Sequence, residues 1–152
     1  MKYIAYGSNM VQEQMAYRCP DARLVGMGYL HDTRLEFYLH ATVECSQIKG
    51  GINSTPTRVP VAVWEISEAD EQRLDRYEGY PSYYIKEERM VRMTDGSEIR
   101  GMIYLMNHKR VAPPTREYYD GIRMAYLALG FRSEIGKVLK PALLRSLVRK
   151  QR

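Results

Sequence analysis

At 152 residues the chain has the length of one domain and enough material to bury a core without covalent staples. Its net charge of +5 is unevenly placed: Lys137, Lys140, Arg145, Arg149, Lys150 and Arg152 supply six positives without an acid, so a basic C-terminal tail over about 137–152 follows a body close to neutral. Such a tail reads as a solvated end rather than a phosphate-binding arm, and without interleaved aromatics or a folded basic face it argues against a nucleic-acid partner. The two cysteines, Cys19 and Cys45, lack the spacing of a metal knuckle, and His31 and His40 add no ligand pattern, so the expectation is two reduced thiols, no metal and no disulfide. The opening apolar run is too short for a secretory signal, and no stretch approaches the roughly 20 apolar residues that span a bilayer. The expectation is a soluble, cytoplasmic protein with no membrane partner.

In chain order, alternation and β-branched or aromatic content predict strands over residues 2–6, 23–30, 34–40, 59–66, 84–93 and 98–106. The first runs into Tyr6-Gly7-Ser8-Asn9-Met10, where small side chains leave the N–H groups of Gly7, Ser8 and Asn9 free to converge on a carboxylate or a carbonyl oxygen. Residues 46–60 contain Gly50-Gly51, Asn53-Ser54, Pro56 and Pro60 and read as a long loop. Ser67 with Asp70 three residues on predicts a capped helix over 68–78 that Gly79 stops. Thr94-Asp95-Gly96-Ser97 predicts an antiparallel hairpin between the last two strands. A second helix starts near Thr115, after Pro113-Pro114, and stops at Gly130; a third lies within 133–149, where Pro141 begins or kinks it. The sequence holds no internal repeat and no interdomain linker.

The chemistry concentrates at Glu78. It ends its helix, where the dipole disfavours negative charge, and Tyr77, Tyr80, Tyr83 and Tyr84 flank it and can desolvate it. Both effects raise a carboxyl pKa toward neutrality, the condition for a proton shuttle at working pH. The histidines, His31, His40 and His108, show no partner spacing and read as structural or exposed.

Taken together these motifs resemble the γ-glutamylcyclotransferase-like, or AIG2-like, family. The resemblance runs through Tyr6-Gly7-Ser8-Asn9, Gly50-Gly51-Ile52, Val63-Trp64, Leu74-Asp75 to Glu78-Gly79, Tyr104-Leu105-Met106, and Ala112-Pro113-Pro114 to Tyr118, six segments in the family's order. It implies an α+β fold, a small mixed β-barrel with flanking helices and a pocket at one mouth, working without a cofactor. The implied reaction is an intramolecular aminolysis that releases 5-oxoproline and an amine or amino acid from a γ-glutamyl compound. By position, Glu78 takes the role of catalytic acid/base. Gly7, Ser8 and Asn9 hold the γ-carbonyl oxygen or the α-carboxylate, with Tyr6 at the pocket edge, and Tyr84, Tyr104 and Tyr118 complete the substrate-binding set. A ring closure whose nucleophile is already tethered demands an orienting cradle and one bifunctional group, so the chemistry needs no Ser-His-Asp or Cys-His set. A family member that keeps the pocket as a non-catalytic binding module is the alternative. The leaving group and the oligomeric state are not written in these motifs. A dipeptide, an isopeptide and a γ-glutamyl-protected intermediate all share the glutamyl end.

Overall fold

Residues 1–46 and 57–151 are described here from a computed structural model. In chain order they form β1 (Lys2–Ala5), a 3-10 turn (Ser8–Met10), α1 (Gln12–Arg18), β2 (Arg23–His31), β3 (Thr33–Tyr38), β4 (His40–Cys45) and β5 (Arg58–Glu65). Then come α2 (Glu68–Glu78), β6 (Tyr84–Met93), β7 (Glu98–Met106), α3 (Arg116–Ala128), a π-helical turn (Ile135–Leu139) and α4 (Lys140–Lys150).

Five strands close a barrel in the order β1-β5-β2-β6-β7, while β3 and β4 form a separate two-stranded ribbon. β5 is covered on both faces, with Val59 to Trp64 all buried, which is why its sequence is continuously apolar instead of alternating. The barrel closes where β1 pairs in parallel with β7 at Tyr3 and Met102. Parallel pairing carries the C-terminal ends of β1 and β7 to the same mouth, and antiparallel β6 begins there at Tyr84. The Asp-Gly hairpin forms as the sequence predicts, with Gly96 at φ 91° and the Asp95 carboxylate accepting from the Ser97 N–H at 2.9 Å.

Both predicted helix starts are built as expected. Ser67 Oγ accepts from the Asp70 N–H while Asp70 accepts back from the Ser67 N–H, and Thr115 Oγ1 accepts from the Tyr118 N–H at 3.2 Å. Pro141 sits in the first turn of α4, directly after the π-helical turn that runs into it.

Two elements lie outside the sequence expectations. α1 has seven residues, and Met15 is its one fully buried side chain, too little for a helical period to show. The strand expected over 34–40 breaks at Leu39, and a further strand, β4, returns from it after this single residue. Leu39 has φ 65°, a left-handed conformation that Gly or Asn adopts far more readily, so no turn residue marks the reversal. The loop expected over 46–60 is shortened at its end, because Arg58–Pro60 belong to β5; its Gly50-Gly51 pair lies outside the described residues.

The basic C-terminal segment is not a solvated end. α4 packs on β3, and Glu36, fully buried, receives Arg145 Nε at 2.9 Å and Arg149 Nη1 at 2.8 Å. The same guanidiniums donate to the carbonyls of Leu35 and Phe37. A charge count along the chain cannot see this pairing, because the acid lies more than a hundred residues from its partners. A second buried acid, Glu134, accepts from Arg58 at 2.9 Å and ties the segment after α3 to the start of β5.

Among the described residues no helix is long and apolar enough to cross a membrane. No group of three or more His, Cys, Asp or Glu side chains among them is placed to hold a metal ion. Cys19 is buried and Cys45 exposed, both as free thiols.

Candidate active site

β1 ends in a half-buried turn whose residues Gly7, Ser8 and Asn9 line a cavity. The carbonyls of Gly7 and Ser8 accept from Met10 and Val11 at 3.0 and 3.1 Å, which fixes the 3-10 turn, while no described group takes the N–H of Gly7, Ser8 or Asn9. Asn9 is the anchor of this turn. Its Nδ2 donates to Tyr3 Oη at 2.9 Å, its Oδ1 accepts from Arg18 at 2.5 Å, and its carbonyl accepts from Trp64 Nε1 at 3.0 Å. With its side chain fully engaged, Asn9 has its backbone N–H left for a ligand. Gly7 is favoured by a close approach, since a Cβ there would meet Tyr118 Oη at 3.1 Å, tight enough that the hydroxyl would have to give way.

The carboxylate comes from a different element, α2. Glu78 is the last residue of α2, and the chain reverses immediately after it: Gly79 has φ 65°, its N–H bonds the Arg76 carbonyl, and the Tyr80 N–H reaches back to the Asp75 carbonyl at 2.9 Å. A residue with a Cβ at position 79 would press against the Tyr83 ring at 2.7 Å. This Schellman stop turns the Glu78 side chain into the cavity. There burial pushes the Glu78 pKa up to about 7, a rise that Arg18 partly offsets.

The cavity measures about 650 Å³, within the range of small-molecule sites. All the residues singled out in the sequence, Tyr6, Gly7, Ser8, Asn9, Glu78, Tyr84, Tyr104 and Tyr118, line this one space. Their hydroxyls are not equally available, however. Tyr6 donates to the Tyr104 carbonyl at 2.5 Å, Tyr84 to the Ala41 carbonyl at 3.0 Å, and Tyr104 to Asp75 Oδ1 at 2.5 Å. Tyr118 instead accepts from the Ala41 N–H at 3.0 Å, so its own proton is free for a ligand. Burial raises the pKa of all four, which keeps these hydroxyls protonated.

Sequence reasoning missed the far wall. Tyr38, Leu39, His40 and Ala41 come from the ribbon, and Met106, His108, Lys109 and Arg110 from the end of β7 and the stretch after it. The φ of Leu39, invisible in the sequence, puts these ribbon residues there, and its N–H is held by the Ala112 carbonyl at 2.8 Å. Glu78 is the one acid on the described lining, against Arg76, Lys109 and Arg110. Lys109 is partly neutralised by Glu44 at 2.7 Å. Burial lowers the pKa of His40, whose ring stands edge-on to Tyr118 at 5.2 Å.

The barrel mouth thus brings the turn at residues 7–9 and a carboxyl with a raised pKa to one cavity of small-molecule size. The sequence profile described as "Gamma-glutamyl cyclotransferase, AIG2-like" matches residues 3–121. The chain is 32% identical over 143 residues to the γ-glutamylcyclotransferases of Mus musculus and of Homo sapiens, covering 91% of this chain and 76% of each relative. A solved structure titled "Gamma-glutamyl cyclotransferase" superposes with a TM-score of 0.78 at 28% identity, over 91% of this chain and 85% of that one. The chain belongs to the γ-glutamyl cyclotransferase, AIG2-like family, and it is an enzyme of that type.

Proposed function

We propose that the protein cyclises the γ-glutamyl group of a small molecule to 5-oxoproline and releases the amine or amino acid that the group carried. The observation that carries this reading is the pairing of Glu78, its pKa at about 7, with the unpartnered amides of residues 7–9 across one cavity. Deprotonated Glu78 takes a proton from the substrate's α-ammonium, and the freed amine attacks the γ-carbonyl carbon. Negative charge develops on the γ-oxygen, which the N–H groups of Gly7, Ser8 and Asn9 and the Tyr118 hydroxyl are suited to stabilise. Collapse of the tetrahedral species breaks the bond to the departing nitrogen, to which Glu78 returns the first proton; the ring nitrogen gives up its second proton to the vacated Glu78 carboxylate, which passes it to the released amine, so that lactam and ammonium leave and Glu78 is again ionised. One carboxyl thus serves both steps, and a pKa near working pH suits both directions of transfer. A pocket that only bound an anion would be weakened by a carboxylate in its wall, which favours catalysis over the binding-module alternative.

The leaving-group end of the cavity holds Lys109 and Arg110 and no acid among its described residues, so it favours a departing amino acid or peptide, which carries a carboxylate, over a cationic amine. Two free cysteines fit a reducing, cytoplasmic setting. The test is to incubate the protein with a panel of γ-glutamyl amino acids, isopeptides and simple amides and to follow 5-oxoproline by mass spectrometry. The expected result is release that Glu78→Gln abolishes. Absence of 5-oxoproline from every member of the panel would refute the proposal.

A further inference from the structure

Arg18, the last residue of α1, does not line the cavity, yet it touches both halves of the site from behind. Its Nη1 donates to Asn9 Oδ1 at 2.5 Å and to Ser8 Oγ at 3.2 Å, and its guanidinium lies 3.6 Å above the ring of Tyr77, the residue before Glu78. The contacts continue into a closed belt. Asn9 bonds Tyr3, the Tyr3 ring stands edge-on to Tyr104 at 5.9 Å, and Tyr104 bonds Asp75, which is on the same helix as Tyr77. α2 is therefore gripped at two points, by Asp75 through Tyr104 and by Tyr77 through Arg18. Lys86 holds the first grip with a further contact to Asp75 at 2.8 Å.

We propose that Arg18 is a positioning residue of the reaction, a clamp that sets the spacing between the amides of residues 7–9 and Glu78 and presents a positive field to the Glu78 carboxylate. The assignment rests on the acid/base reading of Glu78. Around that carboxyl stand Tyr3 of β1, Tyr6 beyond it, Tyr84 of β6, Tyr104 of β7 and Tyr118 of α3, all neutral, with Arg76 and Tyr77 on its own helix. His40, Lys109 and Arg110 line the same cavity. Arg18 is the cation whose charge acts on the Glu78 titration, and it acts to keep the carboxylate ionised against its burial. A guanidinium suits this place because its planar fork can bond two oxygens and lie flat on a ring at once, which an ammonium cannot.

The test compares Arg18→Met, Arg18→Lys and Glu78→Gln in the full chain. Each variant is assayed for kcat and kcat/KM from pH 5.5 to 9.5, with 5-oxoproline as the measured product and thermal melts alongside. Arg18→Met should move the acidic limb of kcat/KM to higher pH and lower the plateau by ~10-fold, the effect of losing a charge-assisted contact. Arg18→Lys should restore the limb and leave the plateau depressed. A limb in Arg18→Met that superimposes on that of the parent, or a plateau in Arg18→Lys equal to the parent's, overturns the clamp. Should Arg18→Met fail to fold, the Arg18→Lys plateau alone decides. A limb that persists in an active Glu78→Gln would instead refute the acid/base role of Glu78, which separates the two failures.

Discussion

At the residue scale the site depends on two protons being held where they are useful. Glu78→Gln keeps the size of the side chain but cannot shuttle a proton, so turnover should fall by roughly 10²–10⁴-fold in a protein that still folds. The same substitution has a second, opposite signature. The folded protein binds the Glu78 proton more tightly than the unfolded chain, because burial raises the pKa from 4.5 to about 7. Its stabilising contribution is therefore complete below pH 4.5 and lost as pH rises through about 7. Glu78→Gln should match the parent in melting near pH 4 and exceed it near pH 8, by about 2 kcal/mol once screening by water in the cavity is allowed for. Equal melting at both pH values would mean that the carboxyl is solvated. Tyr118→Phe removes a cavity hydroxyl whose proton no described group takes and leaves the Ala41 N–H without its acceptor. It should lower kcat more than it raises KM and cost about 1 kcal/mol of stability, read from turnover and a denaturant melt.

At the element scale the division of labour follows from the topology. In the proposed reaction, the turn after β1 and the end of α2 take the glutamyl group, and the ribbon and the stretch after β7, which line the rest of the cavity, take the leaving group. Arg110→Glu should therefore lower kcat/KM for γ-glutamyl substrates whose leaving group carries a carboxylate and leave simple γ-glutamyl amides little changed. A uniform loss across both classes would place Arg110 outside the leaving-group end. The two ends also differ in how openly the sequence announces them. Ser67 with Asp70, the Gly79 stop and the Asp95-Gly96 turn are local devices written in adjacent residues, so α2 and the β6–β7 hairpin, with Glu78 between them, are legible along the chain. Leu39 in a left-handed conformation is held by tertiary contact with Ala112, and no local signal betrays it. β4 and the wall that it contributes stay hidden for that reason. Arg18 is hidden differently: Ser8 and Asn9 meet it where the 3-10 turn folds onto α1, and Tyr77 only once α1 packs near α2.

At the scale of the whole molecule the C-terminal helix bears on the site, and the basic run that looks like a tail is a strut. Arg145 and Arg149 neutralise a fully buried Glu36 and donate to the backbone of β3, the strand that leads through Leu39 to His40 and Ala41 in the cavity wall. Ending the chain after Leu144 leaves Glu36 with Arg34 as its remaining described cation, at 2.6 Å and substantially exposed. Breaking a buried ion pair from one side costs about 3–5 kcal/mol, a large share of the stability of a domain this size. The truncated protein should melt far lower than the full chain. At temperatures where it still folds it should lose activity at low and high salt alike, because the ribbon end of the cavity is no longer held. Replacing Glu36 by Met in the truncated chain removes the stranded charge and should recover part of the stability, though not the backbone contacts at Leu35 and Phe37. Activity that survives truncation with a salt-sensitive rise in KM would return the segment to the role of an exposed basic arm steering acidic substrates.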